Sequence, residues 1–340
     1  MARVGLGIVG CGRMGSAHAR IAAGLVPEAR LTALADVAVD GARRLASEVG
    51  DPRVYASAAE LAADPEIQAV LIAVSSSRHL EAVRAVAAAG KAILCEKPLA
   101  LTMADTDAAI DTAEAAGIQL QVAFMRRWDP DYRRAKERLA SGQLGRPFLF
   151  RSLQFDMEPP PLAFADPAVS GGIMVDMGIH EFDLARWLMA DEVEEVHAYG
   201  STVSHPDLAT VGDVDSASVV LRFSGGGTGT VEMARDTSYG EDVRTEVVAT
   251  KGSAWVGLLP LTAGASSLRG AVAIDTLDPS IPRFERAYAE QTRAFVRAVA
   301  AGRPVEVTGA DSRAALAIAL AAARSMQGGR PIRPAELLFR

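Results

Sequence analysis

Asp176, His180 and Asp183 recur at i, i+4 and i+7 in an otherwise apolar stretch that opens on Gly171-Gly172. On one helix that spacing puts carboxylate, imidazole and carboxylate on a single face. An imidazole ordinarily titrates near pH ~6.5, so His180 can act as general base at neutral pH, with Asp176 orienting it or contacting the same substrate. Two plainer readings of the stripe are a solvated helix face and a metal pair, and the metal pair lacks a third ligand at suitable spacing. Lys97, in Glu96-Lys97-Pro98, follows directly on the apolar run Ala92 to Cys95. At the carboxyl end of a parallel strand, where open α/β sheets bind ligands, Lys97 can donate to a substrate oxygen and favour a developing alkoxide. Its plainer reading is a solvated lysine before a proline turn.

Such chemistry needs an electron acceptor, and the start of the chain provides a place for one. The apolar run Val4 to Val9 leads into Gly10-Cys11-Gly12-Arg13-Met14-Gly15, an Ala-rich helical stretch, and a second apolar run closed by Asp36. This is the order of a dinucleotide site. The first Gly permits the turn out of the strand, the second lets backbone approach a pyrophosphate, and the third lets the helix pack on the sheet. Unpaired N–H groups at the helix start then face the phosphates. Asp36 can accept hydrogen bonds from both adenosine ribose hydroxyls and would repel a 2′-phosphate, which favours NAD over NADP. The plainer reading is a Gly-rich turn with Asp36 as a helix cap. Ser75, in Ser75-Ser76-Ser77 after another apolar run, is expected either to contact the cofactor or to cap the helix that follows. The expected cofactor residues are therefore Gly10, Gly12, Arg13, Met14, Gly15, Asp36, Ser75, Glu96 and Lys97.

The elements that must position these groups form two textures. Over 1–123, strand-like and helical runs alternate, with strands at 3–9, 30–35, 68–74, 91–95 and 118–123; this predicts a doubly wound parallel sheet, a Rossmann domain. Helices are expected after Ser57, from Arg78 to Ala89, and from Met103 to Ala116 with Thr102 as cap. Over 124–340, a helix near Asp131 to Ala140 precedes β-rich runs at 147–155, 193–203, 214–223, 228–236 and 243–249. Gly225-Gly226-Gly227 separates two of them as a hairpin turn would. One long helix is expected from Gly172 to Met189, and others near 284–301 and 310–326. The second domain thus reads as α+β with an open, mostly antiparallel sheet and helices on one face.

The 340 residues carry 35 basic and 42 acidic side chains, net −7, with no basic stripe interleaved with aromatics, so nucleic acid is an improbable partner. Cys11 and Cys95 are the two cysteines, in no metal or C-x-x-C spacing, which fits a reduced, cytoplasmic protein. No run approaches the ~18 apolar residues of a membrane span, and the first apolar run is read as a strand rather than a signal peptide.

Taken with the Gly loop, Asp36, Glu96-Lys97-Pro98 and Asp176 with His180 four residues on, the chain resembles the Gfo/Idh/MocA family of glucose-fructose oxidoreductases and inositol dehydrogenases. Gly90-Lys91 to Pro98 looks like the family's Gly-Lys-x-Val-x-Cys-Glu-Lys-Pro run. Phe124-Met125-Arg126-Arg127-Trp128-Asp129 looks like the inositol dehydrogenase branch's Phe-Met-Arg-Arg-Phe-Asp. The resemblance implies a catalytic trio of Lys97, Asp176 and His180, with His180 as proton acceptor. It also implies substrate contacts from Arg127, Asp156 and Tyr239, and a homotetramer or homodimer built through the open sheet of the substrate-binding domain; no metal is expected, from the ligand spacing above. The expected reaction is NAD-dependent oxidation of a secondary hydroxyl of a cyclic polyol, first myo-inositol or a stereoisomer, to the inosose. Two departures touch the substrate pocket: Phe155-Asp156-Met157 stands where inositol-type members have Arg-Asp-Pro or Arg-Asn-Pro, and Glu241 where an aromatic residue can stand. Such differences change which hydroxyls are recognised. The alternatives are a pyranose dehydrogenase with the same trio, an NAD-dependent glycoside hydrolase or lyase, and a non-catalytic NAD-binding regulator.

Overall fold

The computed structural model describes residues 3–257, 265–268, 271–274 and 280–337. The chain divides into two compact units, Met1–Trp128 with Glu285–Ala314, and Asp129–Phe284 with Ala315–Arg340.

The first unit contains β1 (Val4–Val9), α1 (Arg13–Leu25), β2 (Ala29–Ala35), α2 (Val39–Glu48), β3 (Arg53–Tyr55), α3 (Ala58–Ala62), β4 (Ala69–Ile72), α4 (His79–Ala88), β5 (Ala92–Cys95), α5 (Met103–Ala115) and β6 (Leu120–Val122). Its strands pair in parallel in the order β3-β2-β1-β4-β5-β6. Every residue of β1, β4 and β5 is buried, as strands covered on both faces require. Thr102 caps α5 as expected, accepting from Asp105 N–H at 3.0 Å, and Ser57 caps α3, accepting from Glu60 N–H at 3.2 Å. β3 escaped the sequence reading because its three residues are exposed or half-buried and form no apolar run. The order reverses direction between β1 and β4, which makes a crevice at the carboxyl ends of those strands.

The chain later returns to this unit. Val122 N–H donates to Val307 O at 3.0 Å, Arg293 and Arg297 pair with Glu28, and Arg313 pairs with Asp107.

The second unit contains α6 (Pro130–Ala140), β7 (Pro147–Phe155), the short helices α7 (Leu162–Ala165), α8 (Pro167–Ser170) and α9 (Gly172–Asp176), then α10 (Gly178–Met189), β8 (Val193–Ser201), β9 (Ser216–Phe223), β10 (Thr228–Ala234), β11 (Asp242–Ala249), β12 (Gly252–Val256), β13 (Ala265–Leu268) and β14 (Ala271–Ile274). α11 (Ser280–Ala301) and α12 (Gly309–Gly328) each have residues in both units. The larger sheet runs β12-β11-β7-β10-β9-β8, antiparallel except for β7 with β10, and Gly225-Gly226-Gly227 lies in the β9–β10 turn.

Register assigns this sheet two unlike faces. His197, Val220, Thr230, Arg151, Glu246 and Trp255 are successive cross-strand partners, and none is buried. The neighbouring row includes Val219, Val231, Ser152 and Thr245, all buried. Beneath it, Glu181 of α10 is fully buried and accepts from Ser152, and Thr245 bonds the Tyr132 hydroxyl at 2.8 Å. A buried carboxylate so partnered fixes α10 against the sheet.

The stretch expected as one helix from Gly172 to Met189 is instead two, with the break at Met177. The break adjoins a closely packed position: a Cβ on Gly178 would lie 2.9 Å from the Phe182 ring and 3.0 Å from the Met233 sulfur. The missing side chain at Gly178 lets the start of α10 lie close to β10.

Candidate functional site

The glycine loop occupies the β1–α1 turn. Gly10 has φ +93°, and a Cβ there would lie 2.5 Å from Ala73 O at the end of β4. Gly15 packs so closely that a Cβ would fall 1.8 Å from Gly10 O. Gly12 differs, because a Cβ added there meets nothing within 4 Å. It is the N-cap of α1 and no side chain caps it, so open space adjoins uncapped N–H groups and an arriving pyrophosphate fits there. Arg13 is exposed and Met14 half-buried at this opening. Gly15→Ala is therefore expected to lower the thermal midpoint markedly. Gly12→Ala should melt as the wild type does yet bind NAD at least about tenfold more weakly by titration calorimetry, as loss of a close backbone approach implies. Unchanged affinity in Gly12→Ala would remove the loop from the cofactor site.

Asp36 ends β2 half-buried, accepting from Cys11 N–H at 2.7 Å and from Ala38 N–H at 2.8 Å. It does not cap α2, whose N-cap Ala38 has no side-chain bond. The carboxylate is thus fixed beside the loop with further lone pairs available for ribose hydroxyls. Burial, and after it the Asp36 charge, pushes the Cys11 thiol up to about 11, so the loop cysteine is uncharged at neutral pH. Ser75 is exposed beyond β4 and its side chain makes no cap bond, which disposes of the cap reading.

Glu96 and Lys97 follow β5 at the same sheet edge. Lys97 is half-buried between buried Glu96 and Pro98, not fully solvated. Glu96 Oε1 lies 2.7 Å from His18 Nε2, and Oε2 accepts from Lys97 N–H at 3.1 Å. Arg127, in the turn Met125–Trp128 after β6, pairs with Asp311 at 3.0 Å and is 10% exposed. A guanidinium carries five donors in a planar fork, a geometry suited to hydroxyl and carboxylate oxygens. Gly10, Gly12, Gly15, Asp36, Ser75, Glu96, Lys97 and Arg127 thus all lie along the carboxyl edge of the parallel sheet.

In the second unit the edge where β7 and β10 end gathers a second group. Asp156 N–H donates to Ala234 O at 2.8 Å, and Asp156 O accepts from Thr237 N–H at 2.9 Å. The Tyr239 hydroxyl donates to Asp242 at 3.1 Å, and burial, then the Asp242 charge, holds the phenol above its usual range. Asp176 ends α9, and its Oδ2 lies 3.4 Å from Arg235 Nη1. Arg235 Nη2 in turn donates to Asp213 at 2.6 Å. His180 is in the first turn of α10, 7% exposed, with its N–H bonded to Met177 O at 3.2 Å. Because Asp183 and His180 are both buried, the stripe is not a solvated helix face. Among the described residues no group of three or more His, Cys, Asp or Glu side chains could hold a metal ion. Arg235, Asp213 and His18 were not singled out from sequence, since their partners are 59, 22 and 78 residues away along the chain.

Comparison with known proteins gives the family and the fold. Residues 4–124 match the oxidoreductase family model with an NAD-binding Rossmann fold, and residues 132–255 match the GFO/IDH/MocA C-terminal domain model. The chain is 36% identical to myo-inositol 2-dehydrogenase of Thermotoga maritima, over 98% of this chain and 99% of that one. It is 34% identical to scyllo-inositol 2-dehydrogenase (NAD(+)) of Bacillus subtilis, over 96% and 94%. The crystal structure of scyllo-inositol dehydrogenase from Lactobacillus casei with bound NAD(H) and scyllo-inositol superposes with a TM-score of 0.91 at 26% identity, covering 98% of this chain and 99% of that one.

Proposed function

The chain belongs to the Gfo/Idh/MocA family of oxidoreductases, and on that premise we propose that it oxidises a secondary hydroxyl of a cyclic polyol, myo-inositol or a stereoisomer, to the inosose with NAD. The observation that carries this reading is the presence of Lys97, Asp176 and His180 together in a chain similar, over nearly its whole length, to inositol 2-dehydrogenases. NAD held by the Gly10–Gly15 loop, Asp36, Ser75 and the Glu96-Lys97 turn supplies the acceptor for the hydride that leaves the substrate carbon. His180 takes the hydroxyl proton. Lys97 donates to the substrate oxygen and stabilises the negative charge that grows on it. Asp176 orients these groups, while Arg127, Asp156 and Tyr239 recognise the remaining hydroxyls. The Asp36 charge selects NAD against NADP.

A pyranose is the second reading, favoured by Met157 and Glu241 in the stretches that bear on hydroxyl recognition. We extend the proposal to a homotetramer or homodimer built on the uncovered face of the larger sheet, where Tyr199, Val220 and Trp255 are exposed by 66%, 52% and 58%. A reduced cytoplasm suits the two free thiols, and no described helix is long and apolar enough to cross a membrane.

One preparation tests both parts: its mass by light scattering, then nicotinamide absorbance with NAD or NADP against inositol stereoisomers and aldoses. Reduction of NAD by an inositol in an oligomer is the expected result, and reduction only by a pyranose moves the substrate. Retained NAD without net reduction points to a hydrolase or lyase. Silence in protein that binds NAD points to a regulator, and a monomer removes the sheet-face assembly.

A further inference from the structure

Two buried histidines hold the turn that carries Lys97, one from each side. His18, on α1, is 1% exposed, and its Nε2 donates to Glu96 Oε1 at 2.7 Å. Edge-on against the same ring stands Tyr288 of α11, at 5.3 Å between centroids. His79, at the start of α4, is also 1% exposed. Its Nδ1 lies 2.7 Å from Pro98 O and its Nε2 3.1 Å from Val74 O. Burial lowers the His79 pKa, so the ring is neutral and its single N–H donates to one of these two carbonyls, with the shorter contact to Pro98 O after β5. Leu99 N–H, bonded to the Ser312 hydroxyl at 3.2 Å, anchors the turn further on.

Glu96 is the link between His18 and Lys97. Its second oxygen accepts the Lys97 N–H at 3.1 Å, so one buried carboxylate spans the imidazole and the backbone of the lysine. Burial alone would raise the pKa of this carboxyl, but the His18 hydrogen bond and the charges around it more than reverse that, so it titrates below its ordinary range and is ionised. An ionised carboxylate only accepts hydrogen bonds, and one buried at 7% exposure is costly without donors. His18 supplies a donor that the turn does not itself contain.

We infer that His18 is a positioning residue for Lys97: through Glu96 it fixes the backbone from which the lysine projects, and His79 holds the far side of the same turn. This rests on the reading of Lys97 as the group that donates to the substrate oxygen. Positioning matters here because misplacement of a reacting group by about 1 Å can cost on the order of a hundredfold in rate.

Side-chain reach separates this role from mere packing. A Gln amide nitrogen falls close to the place of imidazole Nε2, whereas an Asn amide, one carbon shorter, falls short of Glu96. His18→Gln is expected to keep kcat within about threefold of wild type. His18→Asn should lower kcat by about 10- to 100-fold while NAD affinity by titration calorimetry stays within about threefold. In a Lys97→Met background, His18→Asn should cost nothing further, since the group it positions is gone. Wild-type kcat in His18→Asn, equal losses in the Asn and Gln proteins, or an undiminished loss on top of Lys97→Met would each overturn the inference. Full turnover by Lys97→Met alone would overturn the underlying reading of Lys97, and the inference with it.

Discussion

Replacing His180 by Ala is expected to lower kcat by about 10²- to 10⁴-fold, the usual contribution of a positioned general base. The imidazole is 7% exposed in the first turn of α10, and Glu181 beside it, wholly buried, bonds Ser152 of the sheet. Its backbone is therefore held independently of the ring, and removal of the ring should leave the helix in place. If the base acts only as the proton leaves, kcat and kcat/KM fall together and KM for the polyol changes little. Initial rates of NAD reduction at saturating polyol, with the melting midpoint of the same preparation, check both points. A folded His180→Ala protein with full turnover would sink the assignment of the base.

Arg235→Leu should destabilise the second unit by about 3–5 kcal/mol, the range for removing one partner of a buried charge group. Arg235 is 1% exposed and stands between Asp213, 2% exposed, and Asp176, 22% exposed. Without the guanidinium, Asp176 and Asp213 lose the positive charge they share, and Asp213 is buried where water does not solvate it. Asp213 would keep its bond from Ile173 N–H, 2.9 Å long, so the start of α9 is not itself undone. Arg235→Lys should lose less stability but still loosen Asp176, because a single ammonium cannot bridge both carboxylates as a planar fork does. Urea unfolding of the three proteins, with kcat for those that fold, measures the two effects separately. Equal stability of wild type and Arg235→Leu would show that the carboxylates find other compensation.

Which parts of this site the sequence revealed depends on how far apart the interacting residues are along the chain. The Gly10–Gly15 loop, Asp36 and the strand ending at Glu96-Lys97 are local patterns, and the structure has them at one sheet edge. The Thr102 cap was legible for the same reason, since it bonds an N–H three residues on. The break at Met177 was not legible, and neither was the close packing of the next residue, Gly178, which depends on Met233 of a distant strand. β12 was missed like β3, since four of its five residues are exposed or half-buried. Arg235 follows a strand whose alternation reads as solvent and core, and only its distant aspartates show why a charge belongs inside. His18 sits in an Ala-rich helix as if it were one more interior residue, and its purpose lies at Glu96.

The return of the chain to its first unit bears on synthesis. Val307 pairs with Val122 beside β6, Arg313 with Asp107 of α5, and Asp311 with Arg127. A ribosome makes the whole of the second unit's sheet before it releases these residues. The dinucleotide-binding unit, although encoded first, therefore finishes its edge last, and a fragment ending at Trp128 lacks these fastenings along with those of Glu28 and Leu99. Any fusion or domain exchange that treats residues 1–128 as a complete module cuts through one folded body, not between two.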